Sequence, residues 1–207
     1  MTTDENKAYL RDILDKLKVA GCNAVVFQVR PSADALYPSE FEPWSRFLTG
    51  KAGVAPTPMW DPLQFMIDES HARGMELHAW LNPYRVTTSK NEKLPSNHIY
   101  SKHPERFVTY DGKLYFDPGL PENREFIEDV VKDIVTRYNV DAIHMDDYFY
   151  PYPVKGVEFP DSRKVCGTWS FDYHCYASVC SRSGSCRNAF RIRYAGTSDG
   201  RTNFESL

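Results

Sequence analysis

No uninterrupted apolar run in the 207 residues approaches the roughly 20 that a membrane-crossing helix needs. The opening MTTDENKAYL is polar and passes straight into an amphipathic pattern, so the chain as it stands is expected to carry no export signal and no membrane segment. Blocks of like charge are also missing, and a net charge of −3 gives no general attraction to nucleic acid or anionic lipid. Neither HxH nor HExxH spacing occurs, and the cysteines match no paired metal-ligand motif. A disulfide framework would need an oxidising compartment that nothing in the sequence establishes. Proline is absent after Pro160, although all fourteen prolines lie at or before it, while four of the five cysteines (Cys166, Cys175, Cys180 and Cys186) come later. Residues 162–207 carry seven Lys or Arg against three Asp or Glu, show no helical stripe, and contain SRSGSC, which reads as loop or disorder. Two regions are therefore expected. Residues 1–160 form a globular domain, and 161–207 form an aberrant or disordered tail of the kind a frameshift produces.

With 42% hydrophobic residues, the chain can bury a sizeable core. Thr2 and Glu5 have capping-box spacing, and Leu10, Ile13, Leu14 and Leu17 follow at helical intervals until Gly21. CNAVVFQVR (22–30) is a strand with Val25, Phe27 and Val29 on one face and Ala24, Val26, Gln28 and Arg30 on the other. A proline-rich connection from Pro31 to Trp60 is too long for a turn, and its interleaved aromatics favour a functional loop. Asp61-Pro62 starts a second helix with Leu63, Met66 and Ile67 buried, and Gly74 ends it. In MELHAWLN, Met75, Leu77, Ala79 and Leu81 alternate with Glu76, His78, Trp80 and Asn82. Asp111-Gly112 favours a tight hairpin, and Ile127, Val130, Val131, Ile134, Val135 and Tyr138 make the strongest helical stripe.

That stripe feeds DAIHMDDYFYPY, in which Ile143 and Met145 share one face and Ala142, His144 and Asp146 the other. In all three strands the polar residues gather at the C-terminal end, where barrel enzymes place their chemistry. Helix and strand alternate three times, with short helix-to-strand and long strand-to-helix links. This predicts an α/β fold with parallel strands: a partial (β/α) TIM-type barrel, an arc of three to four βα units, with a doubly wound sheet as second choice.

FQVRPSADALYPS, GMELHAWLNPYR, YFDPGLPENREFI and DAIHMDDYFYPYP resemble the motif blocks of the glycosyl hydrolase-like 10 family, across roughly residues 5–160. The resemblance implies a (β/α)-barrel glycosidase acting on O-glycosyl bonds of a bacterial glycan, with cell-wall polysaccharide one such substrate. It also implies a cell-envelope location, periplasmic or as a lipoprotein, for the full-length parent. DAIHMD is further similar to the fourth-strand signature of the α-amylase clan, which puts Asp146 in the nucleophile position and His144 one inward step below it. The family's barrel has a first strand before the opening helix and several after DDYFYP, and neither part is recognisable here.

Glycosidic cleavage commonly uses two carboxyl groups. Asp146 is the better candidate because alternation points it with His144, Gln28 and His78, and Asp147 is placed beside it. No Glu in an apolar strand context follows, so the pair is expected to be broken in this chain. Arg30, Asn82, Tyr84 and Arg85 offer donors for sugar hydroxyls, and Trp80 or Tyr148 offers a ring face for a pyranose. Each has a structural alternative: Arg30 pairing with Asp34, Trp80 filling the barrel, Tyr148 packing the rim. No cofactor is called for. His78, His144 and Asp146 are also of the right type to ligate a metal, which keeps a metal-dependent hydrolase in view beside a non-catalytic carbohydrate-binding protein.

Overall fold

The computed structural model describes residues 2–145 and 154–157. Asp146, Asp147, Tyr148 and the region 161–207 lie outside the described residues.

Helix α1 (Thr3–Val19) starts on both halves of the expected capping box: Glu5 N donates to Thr2 Oγ1 at 3.2 Å and Thr2 N to Glu5 Oε2 at 2.7 Å. Strand β1 (Ala24–Arg30) leads into the long connection, which is ordered around a one-turn helix, α2 (Arg46–Thr49). Helix α3 (Pro62–Ala72) is capped by Asp61, whose Oδ1 accepts from Leu63 N and Gln64 N at 3.0 and 3.1 Å. Strand β2 (Glu76–Leu81) follows, then a hairpin of β3 (Phe107–Tyr110) and β4 (Lys113–Phe116). Its turn, Asp111-Gly112, has φ of 47° and 71°, the left-handed pair a two-residue hairpin requires. Helix α4 (Pro121–Arg137) and strand β5 (Ala142–His144) complete the described fold.

β1, β2 and β5 form one parallel sheet in that order. Val25, Val29, Leu77, Ala79, Leu81 and Ile143 face the helices and pack with Leu14, Leu63, Met66, Ile67, Val130, Val131 and Ile134 in the main core. This is the expected arc of a (β/α) barrel: strands inside, helices on one outer face. Asp141 fastens the start of β5, its Oδ2 accepting from Leu77 N at 2.7 Å and lying 2.8 Å from His71 Nε2 of α3. A second cluster of Ala33, Tyr84, Val86 and Phe116 lies beyond the C-terminal ends of β1 and β2. It forms because residues 84–87 run beside β4, with Phe116 N donating to Tyr84 O at 2.9 Å and Val86 N to Leu114 O at 3.1 Å. Among the described residues no helix is long and apolar enough to cross a membrane.

Candidate functional site

Parallel register sets the inner face in rows. Val26, His78 and Ala142 are level, and one step toward the C-terminal ends Gln28, Trp80 and His144 are level. Directly paired residues point the same way, so the three side chains of the upper row are neighbours, and the Trp80 and His144 rings meet edge to face at 6.0 Å. All three are half-buried. Trp80 Nε1 is enclosed with no hydrogen-bond partner among the described residues. His78 is buried, its Nε2 3.0 Å from Glu76 Oε2. Val26, in the row below, is 47% exposed although it is apolar. In a closed barrel that face is filled by side chains from other strands; here Val26 is exposed while His78 and Ala142, level with it, are buried.

Arg30 departs from this face. A bulge after Gln28 pairs Arg30 with Leu81 and breaks the two-residue alternation, so the guanidinium turns into the packing of the rim. It is fully buried against Glu42, with Nε to Oε2 at 2.7 Å and Nη2 to Oε1 at 2.5 Å. Nη1 donates to the carbonyls of Asn82 and Pro83, and the Phe116 ring centroid lies 5.8 Å from the guanidinium carbon. The counter-ion is thus Glu42, not Asp34. Asn82 is buried and its Oδ1 accepts from Arg85 N at 2.9 Å. Tyr84 is buried in the second cluster, and Arg85, half-buried, donates from Nε to Pro31 O at 3.0 Å. The connections after β1 and β2 abut here: a Cβ on Gly53 would stand 2.9 Å from Pro95 Cβ.

Sequence reasoning missed two buried polar groups on this rim, Glu42 and His98, and named Asp34, also buried, only as a partner for Arg30. No periodicity flags a loop residue, and Glu42 lies within the long connection that its interleaved aromatics mark only as a functional loop. Burial pushes the Asp34 carboxyl up, opposed by hydrogen bonds from Ser45 and Ser32. His98 caps a short turn, its Nδ1 accepting from Tyr100 N at 3.0 Å. Burial, with the Arg30 charge adding to it, holds His98 down at about 4, against a raising contact with the Ala33 backbone.

A pH dependence follows with a definite sign. The unfolded chain protonates His98 near its ordinary value while the fold resists until about 4, so stability is full above the unfolded value and is lost as pH falls toward 4. The ceiling is about 3 kcal/mol. Urea titrations of the wild type and of His98→Asn, which keeps a capping oxygen, should converge as the pH drops from neutral to 4. Parallel curves would contradict this assignment.

Among the described residues no group of three or more His, Cys, Asp or Glu could hold a metal ion. The metal alternative needs Asp146, which lies outside them.

The glycosyl hydrolase-like 10 model matches residues 3–165. The chain is 47% identical to glycosyl hydrolase YngK of Bacillus subtilis over 166 residues, covering 79% of this chain and 32% of that protein. It is 43% identical over 163 residues to glycosyl hydrolase DigH of Escherichia coli K12, covering 73% of this chain and 35% of that protein. The chain therefore spans about a third of the length of these curated relatives. Among solved structures it is similar to the GH36 α-galactosidase AgaA of Geobacillus stearothermophilus, with a TM-score of 0.54, 12% identity, and coverage of 86% of this chain and 24% of that one. An α-galactosidase from Lactobacillus brevis gives 0.52 at 14% identity, covering 84% and 23%. At such identities the likeness speaks for the fold alone. The family match over most of the chain, on a parallel arc whose polar residues gather at the strand ends, makes this chain a glycoside hydrolase-like domain belonging to the glycosyl hydrolase-like 10 family.

Proposed function

We propose that the protein to which this arc belongs cleaves glycosidic bonds of a bacterial glycan, cell-wall polysaccharide being the favoured class, and that the 207-residue chain alone binds sugar but turns over little or none. The observation that carries the proposal is the row Gln28, Trp80, His144: an amide, an indole and an imidazole side by side, half-buried and near the C-terminal strand ends. An indole face suits the C–H face of a pyranose, and the flanking polar groups suit its hydroxyls.

Two residues beyond His144 in the sequence comes Asp146, which we assign to the same side by strand alternation. As nucleophile its carboxylate attacks the anomeric carbon while a second acid protonates the departing glycosidic oxygen. Water then cleaves the glycosyl ester and restores the carboxylate. Asp147 and Tyr148 are assigned to orienting the sugar, with half-buried Arg85 on the loop after β2; Asn82 and Tyr84, both buried, hold that loop and do not reach the sugar. The acid partner belongs to a later strand, which explains why a chain spanning a third of its relatives would be inactive. A non-catalytic sugar-binding protein is the second reading, favoured by the same row if no second carboxylate approaches Asp146.

Calorimetric titration of the 207-residue chain with purified cell-wall glycan strands tests the sugar face. Trp80→Ala should weaken binding by about tenfold, or ~1.4 kcal/mol, whereas Trp80→Phe should lose less. Equal affinity in all three proteins would remove the row from the binding site.

A further inference from the structure

We propose that Arg30 and Glu42 form a positioning clamp that sets the loop carrying Tyr84 and Arg85, with no contact to the sugar itself. The proposal rests on the sugar-site reading for its purpose and on geometry for its existence. Four hydrogen bonds occupy Arg30: two to the Glu42 carboxylate and two to the successive carbonyls of Asn82 and Pro83. Both side chains are sealed from solvent, at 0% and 1% exposure. A group so enclosed has no route to a ligand.

Its partners belong to different connections. Glu42 comes from the loop after β1, Asn82 and Pro83 directly follow β2, and Phe116 in β4 lies under the guanidinium. The next residues are Tyr84, packed against Phe116, and Arg85, whose amide is held by Asn82 Oδ1 and whose Nε is held by Pro31 O. One planar fork therefore joins the outgoing ends of two barrel strands to the hairpin above them. Only a guanidinium can do this, since its donors lie in fixed directions in one plane while a lysine ammonium is a point. Glu42 sets the rotation of that plane by gripping Nε and Nη2 together, which aims Nη1 at the two carbonyls.

The test compares wild type, Arg30→Lys and Glu42→Gln in the 207-residue chain. Amide hydrogen exchange is followed at Arg85, Val86 and Thr87, and referred in each protein to core amides of β2 and α4. That ratio cancels any general loss of stability, which a merely structural role would produce. Arg30→Lys keeps the charge opposite Glu42 and so provides the measurement if Glu42→Gln fails to fold. The clamp predicts a ratio at least tenfold above wild type, with glycan-strand affinity falling in step. An unchanged ratio overturns the clamp, and a raised ratio with undiminished affinity overturns its link to the sugar site. Should the wild type bind no glycan, the sugar reading fails while the exchange ratio still decides the clamp.

Discussion

Glu42→Ala is expected to destabilise the folded domain by about 3–5 kcal/mol. The carboxylate is buried, and burial pushes it up toward protonation; the adjoining Arg30 charge and hydrogen bonds pull the other way. Alanine would leave the guanidinium enclosed, still bonded to Asn82 and Pro83 but with no counter-charge, and an uncompensated buried charge is among the costliest defects a core can hold. The pair itself is a different matter. Replacing both partners by apolar residues of similar size, Arg30→Met with Glu42→Leu, should recover much of the loss, because two desolvation costs vanish together. As a control, Asp12→Ala removes the ion pair to Lys16 on the surface of α1, where both groups are exposed, and should leave stability close to that of the wild type. Urea unfolding of the four proteins measures all of this. A Glu42→Ala cost no larger than that of Asp12→Ala would mean the rim does not depend on the pair.

In the parental protein, Asp146→Asn should lower kcat on the order of 10⁴-fold or more and leave glycan binding nearly unchanged. The amide keeps the size and shape of the carboxylate but cannot form the glycosyl ester or carry the negative charge that stabilises the developing oxocarbenium ion. Asp147→Asn should cost less, since we assign the nucleophile by sequence alternation, which groups Asp146 and not Asp147 with His144. Stopped assays for turnover, paired with equilibrium binding of the same glycan, separate loss of chemistry from loss of recognition. Comparable losses from the two substitutions would mean that strand phase does not identify the nucleophile.

Much of the fold was legible because its signals are local and repeated. The stripe from Ile127 to Ile134, the Asp61-Pro62 start, the Thr2–Glu5 capping box and the Asp111-Gly112 turn each declare themselves within a few residues, and each forms as expected. Two-residue alternation likewise sorted Leu77 and Ala79 from His78 and Trp80. It failed at Arg30, where a bulge that no local pattern announces adds a residue to β1 and turns the side chain out of phase. The rim was harder still. Glu42 meets Arg30 at a sequence separation of twelve, and His98 comes to lie near Arg30 and Ala33 through tertiary packing, so their burial depends on contacts with no period to read. Gln28, Trp80 and His144 were foreseeable as a set, since each lies in the same phase near the end of its own strand. The edge-to-face contact of Trp80 with His144 was not, because it depends on the register between strands.

The central claim is that a glycosidase site is divided between this arc and the rest of its barrel. Reducing-end release from purified cell-wall glycan, measured side by side for the 207-residue chain, the full-length parent and the parental Asp146→Asn variant, tests it most directly. The expected result is release by the parent alone. Strong release by the 207-residue chain would contradict the division, and undiminished release by the Asp146→Asn parent would contradict the site.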